Sequence, residues 1–194
     1  MAFTSRRGTA FTSQCGSELT PGFTVLELVV ALAMLTVVVL SVVQVTIYTA
    51  RAVVVARGLT MGSVLAGDKL EQLRGLAWTY DASGTPIGDV QTDVTVDPER
   101  STGGTGLRPS PSDALMRNTA GYCDFLDPRG RSLVGGTEPP RGTAYVRRWA
   151  IAPLGALPDS LVIQVRATDR ATADRGGMSA SDVTLTTLRT RTAP

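Results

Sequence analysis

Histidine is absent from all 194 residues, which removes the His-dependent serine and cysteine triads, histidine metal sites and the commonest acid/base side chain. Lys69 is the only lysine, and aromatics are only 5% of the chain, so stacking platforms for single-stranded nucleic acid are few. There are two cysteines, Cys15 and Cys123, and with no histidine to activate it Cys123 reads as a small hydrophobe. Proline is missing from residues 23–78, so nothing there interrupts a helix. A net charge of +2 is too small to imply a partner by itself.

Set against these absences is one long apolar run. Between Leu28 and Val43 only Thr36 and Ser41 are polar. With Phe23 to Leu26 and Val45 to Tyr48 the run exceeds the ~20 residues that span a bilayer, which predicts a membrane helix. Gln44 and Thr46 mark its outer end, and Arg51 and Arg57 open a polar continuation. Glu27 is the one charge inside the run. A carboxylate in lipid costs roughly 2.5 kcal/mol or more at a helix centre, so an acid there is a functional hypothesis and needs a partner. Just before the run stand Pro21 and Gly22. Pro21 keeps Thr20 out of helical geometry, and Gly22 lets the backbone lie close to another protein's catalytic groups. A secretory signal peptide is cut after its apolar stretch; here the small residue precedes it and no A-x-A site closes it.

The block Gly22-Phe23-Thr24-Val25-Leu26-Glu27 resembles the class III prepilin signal of type IV pilins and type II secretion pseudopilins. The resemblance implies cleavage between Gly22 and Phe23 by a membrane-embedded prepilin peptidase, removal of residues 1–22 as a leader, and N-methylation of Phe23. S-adenosylmethionine then serves the processing enzyme, and the chain itself takes no cofactor. The new ammonium of Phe23 faces Glu27 of a neighbouring subunit, an attraction far stronger at low dielectric than in water. Cys15 leaves with the leader, so the mature chain has no disulfide. The implied setting is a bacterial inner membrane, with the N-terminus cytoplasmic and the C-terminal domain outside, followed by a pilus or pseudopilus. The partners implied are the peptidase, other pilins or pseudopilins, the inner-membrane assembly platform, and lipid before assembly. Pro21 stands where many of these proteins have lysine or arginine, and the missing helix proline resembles minor subunits more than major ones.

Residues 23–50 are read as the membrane and assembly segment, and residues 51–78 as the same helix continuing to about Trp78. There Val55, Leu59, Gly62, Ala66, Leu70, Leu73 and Ala77 recur at spacings of three and four, with Asp68, Lys69, Glu71 and Arg74 mostly off that stripe. Such a helix extends roughly 80 Å. Gly58 and Gly62 form a G-x-x-x-G step that reads equally as close approach, a bend or fraying. Leu65 to Arg74 resembles the helix end of minor pilins of the pilus-modification type and of pseudopilin I of type II secretion, and the ending Val183 to Arg189 resembles the terminal strand of minor pilins. Residues 79–194 read as β: Val90 to Val96, Tyr145 to Ile151, Leu161 to Ala167 and a last strand from Val183 alternate with period two. A turn is expected at Pro158-Asp159 and a loop over 173–181. A glycine- and proline-rich insertion spans about 97–143, with a small hairpin around Pro128-Arg129-Gly130. The fold class expected is α+β, a long N-terminal helix packed on a small C-terminal antiparallel sheet, as in pilins.

No catalytic set emerges, and the chain reads as a structural subunit rather than an enzyme. Asp159, Asp169, Asp174 and Asp182 lack the tight spacing of a calcium loop, so no metal is expected. Arginines crowd the C-terminal third, from Arg141 through Arg147, Arg148 and Arg166 to Arg191, but aspartates interleave with them. A solvated sheet face is favoured there over a DNA surface. The competing function is a membrane-anchored binding module, for DNA or a surface ligand, that never polymerises.

Overall fold

The computed structural model describes residues 22–155, 157–175 and 179–191. Helix α1 runs Val25–Gly75, and the chain divides into two compact units, one ending at Ile47 and the other starting at Tyr48. In the first unit every described residue is exposed. Its hydroxyls turn inward on the helix: Thr36 Oγ1 donates to the Ala33 carbonyl at 2.7 Å and Ser41 Oγ to that of Val37 at 2.8 Å. These bonds satisfy the hydroxyls locally and leave the outer surface apolar.

In the second unit the C-terminal part of α1 packs on an antiparallel sheet, which gives the α+β class expected. Strands β3 (Cys123–Leu126), β4 (Ser132–Gly135), β5 (Tyr145–Leu154), β6 (Leu157–Asp169) and β7 (Val183–Thr190) lie in the order β4-β3-β5-β6-β7. Period-two alternation sends Trp149 and Ile151 of β5, and Leu161, Ile163, Val165 and Ala167 of β6, onto Leu65, Ala66, Leu73 and Leu76 from the helix and the turn after it. Each leucine, isoleucine and valine among them contributes about 1.5–3 kcal/mol on full burial. The opposite face holds a smaller cluster of Cys123, Phe125 and Val146 against Ala173.

The hairpin expected inside the insertion is β3–β4. Asp127 Oδ1 accepts the N–H groups of Arg129 and Arg131 at 2.8 and 2.9 Å, and Gly130 takes φ +79°. Such Asx geometry closes a turn where only glycine is relaxed. The insertion thus supplies two strands of the sheet.

Four local expectations are corrected. The helix stops at Gly75, and Trp78–Tyr80 is a short strand, β1, paired with β2 (Pro86–Gly88). Val90 to Val96 forms no strand. Asp89 Oδ1 accepts the N–H groups of Gln91 and Thr92, and Asp93 Oδ1 accepts that of Thr95, so side chains capture the backbone before a ladder can form. Only an isolated bridge, Asp93 to Arg100, remains. The turn expected at Pro158-Asp159 falls earlier, because β6 already begins at Leu157, and proline is tolerated near a strand start. The expected loop over 173–181 begins inside helix α2 (Arg170–Arg175), which Asp169 caps through the N–H of Thr172 at 3.0 Å.

Gly58 and Gly62 are places of close approach, and the partner is a strand entry rather than a helix. A Cβ on Gly58 would meet Ser181 Cβ at 2.9 Å, and one on Gly62 would meet Val183 Cγ2 at 2.9 Å. Absent side chains here let the polypeptide entering β7 touch the helix.

Candidate functional site

Gly22 and Phe23 precede α1 and are exposed. Thr24 caps the helix: its Oγ1 accepts the Glu27 N–H at 3.2 Å, and its carbonyl accepts the Leu28 N–H at 3.1 Å. This cap escaped the sequence reading, although Thr24-x-x-Glu27 is the spacing of a capping box. Glu27 sits in the first turn, where the helix dipole favours an anion. Its side chain has no cationic partner among the described residues. The acid therefore has a local reason to be tolerated, yet still lacks a counter-charge.

Exposed apolar residues continue along α1 from Val25 through Val43 and Tyr48 to Val53, Val54, Leu59 and Val64. By length and composition the helix contains a segment able to cross a membrane. The part within the first unit, Val25 to Ile47, is wholly exposed and about 35 Å long at 1.5 Å per residue, against roughly 30 Å of hydrocarbon.

The second constellation lies where the helix meets the sheet. Lys69, only 1% exposed, donates to Asp124 Oδ2 at 2.8 Å, to Gln72 Oε1 at 2.7 Å and to the Val94 carbonyl, and lies 4.6 Å from the centre of the Trp149 ring. Arg147 grips the same carboxylate with both ends of its fork, at 2.9 and 2.7 Å, and donates to the Leu65 carbonyl at 3.1 Å. Burial holds the Lys69 ammonium below its usual pKa, although Asp124 opposes that. Sequence reading placed Lys69 off the buried stripe; the stripe is centred on Gly62, Leu65, Ala66, Lys69 and Leu73. A lone lysine in so arginine-rich a chain was the available signal, and Asp124 gave none.

The arginine face is likewise corrected. Arg147, Arg148 and Arg166 are buried. Arg148 donates to Asn118 Oδ1 at 2.9 Å, Arg166 pairs with Asp182 at 2.6 Å, and burial lowers the Arg148 pKa. These three arginines are bonded inside the domain, whereas Arg141 and Arg175 are exposed. The four acids considered for calcium are apart in role: Asp159 pairs with Arg191, Asp169 caps α2, Asp174 meets Arg170 at 3.5 Å and Asp182 holds Arg166. Among the described residues no group of three potential metal ligands forms. Cys123 is fully buried, and desolvation pushes its thiol up to about 12.

Compared with family models, curated proteins and solved structures, the chain matches none of them.

Proposed function

We propose that the chain is a minor pilin or pseudopilin, cut between Gly22 and Phe23, N-methylated at Phe23 and assembled through α1 into a type IV pilus or a type II secretion pseudopilus. One observation carries the reading: an acid with no counter-charge among the described residues opens a helix that is exposed and predominantly apolar from Val25 to Ile47. Lipid or neighbouring helices of the same kind can cover such a surface, but only a neighbouring chain also brings a cation to Glu27. The amine of Phe23 from an adjoining subunit supplies what Glu27 lacks, at the place where desolvation makes an unpaired carboxylate costly. The chain acts here as the processing enzyme's substrate and a building block.

Glu27→Ala tests this in the native host. It is expected to leave membrane insertion intact and to abolish incorporation into filaments. Intact-mass measurement of the wild-type chain should find Phe23 as a methylated first residue. Retention of residues 1–22 in a peptidase-positive cell, or normal incorporation of the Glu27→Ala chain, would defeat the proposal.

A further inference from the structure

The five-stranded sheet has two unlike edges. At β4 the chain covers itself: Thr95 lies against Gly135, where a Cβ would meet its side chain at 2.2 Å, and the Thr95 carbonyl accepts Ser132 Oγ at 3.4 Å. At β7 the edge is bare. Arg191 N donates to the Asp159 carbonyl at 2.9 Å, and the β6–β7 register alternates from there. The odd residues Val183 to Arg189 thus bond β6, whereas Thr184, Thr186, Leu188 and Thr190 turn their N–H and C=O outward. Among the described residues nothing bonds those outward groups, and the side chains of the same residues are exposed.

Edge strands of this length are ordinarily guarded by charge, proline or a bulge. Arg189 is the only charge in β7, and it is drawn inward to the carbonyls of Leu73, at 2.9 Å, and Leu76. It has no carboxylate partner among the described residues, and burial together with Arg74 keeps its pKa below the usual value.

We infer that the outer edge of β7 accepts an added strand from a different subunit of the assembly, an extended segment that carries a carboxylate where it passes Arg189. The inference rests on the assembly reading above for the class of partner. A second copy does not fit. Arg189 is the only charge in β7, so a second β7 laid antiparallel offers it no carboxylate. Parallel pairing sets Arg189 beside Arg189, a like-charge contact. An acid-bearing partner strand meets neither obstacle, satisfies the outward backbone groups and gives Arg189 the anion it lacks.

The test is amide hydrogen exchange on the full chain in filaments and as the detergent-solubilised monomer. It is paired with a benzophenone side chain at position 188 for crosslinking in the native envelope. Amides of Thr184, Thr186 and Leu188 are expected to exchange at least about tenfold more slowly in filaments. The crosslink should map to an extended acidic segment of another subunit. Thr186→Pro deletes an outward N–H without touching the β6 ladder and should abolish that crosslink; Thr186→Lys gives the same readout should the proline variant misfold. Equal exchange in the two states, or crosslinks only to lipid or to a second copy, overturns the inference. Filaments that contain the chain with an unprotected β7 sink this inference alone, whereas absence of the chain from filaments sinks the assembly reading.

Discussion

Asp124 is the single anion between two cations that the surrounding core holds away from water. The energetic order of the three residues follows. Asp124→Ala leaves Lys69 and Arg147 buried without a counter-charge and should cost about 3–5 kcal/mol. Lys69→Met preserves the bidentate Arg147–Asp124 pair and fills the same volume with apolar atoms, so its cost should be well below that of Asp124→Ala. Urea unfolding of the full chain in detergent measures both, and a larger loss for Lys69→Met would contradict the arrangement. The residues that specify this cluster were nearly invisible in the sequence. Helical spacing alone assigns position 69 to the edge of the apolar stripe, and only Asp124, arriving from a distant strand, makes burying an ammonium there tolerable, against the like charge of Arg147. The acid at position 27 was legible for the opposite reason, because every neighbour is apolar.

At the level of elements, the two kinds of glycine in α1 should respond in opposite ways. Gly62→Val drives new methyls into Val183 at the entry of β7 and should destabilise by about 1–3 kcal/mol. Gly67→Ala meets nothing within 4 Å and should stabilise by up to about 1 kcal/mol through helix propensity. Thermal unfolding of the two variants settles the contrast, and two losses of equal size would refute it. Strands β5 and β6 were readable because the helix-facing Trp149, Ile151, Leu161, Ile163, Val165 and Ala167 recur with period two, although the opposite face is also buried at Val146, Arg148 and Arg166. Val90 to Val96 alternates just as well but curls, because Asp89 and Asp93 offer the backbone nearer partners than a neighbouring strand. The short β1–β2 pair was hidden by the apparent continuation of the helical stripe through Ala77 to about Trp78, whereas the helix ends at Gly75.

For the whole molecule, stability against pH should carry the signature of Cys123. Its pKa is raised from 9.0 to about 12 by burial. Below pH 9 the thiol is protonated in folded and unfolded chains alike, so its contribution is fully present. Above that, the unfolded chain loses the proton first and the contribution fades as pH climbs toward 12. Lys69 acts in the other direction: its lowered pKa leaves the unfolded chain holding more protons, so its contribution rises with pH up to the ordinary lysine value of 10.5. Subtracting the unfolding free energy of Cys123→Ala from that of the wild type isolates the thiol. The difference should fall by about 1.4 kcal/mol per pH unit above pH 9. A flat difference between pH 9 and 11 would mean that the thiol is not shielded in solution.

The burial of Lys69 has a practical corollary. Acylating reagents need an accessible, uncharged primary or secondary nitrogen, and the folded polypeptide withholds its sole side-chain amine from them. A dye or biotin ester applied to intact material therefore reports on a single atom, the terminal nitrogen, whether that nitrogen is primary or carries one methyl group.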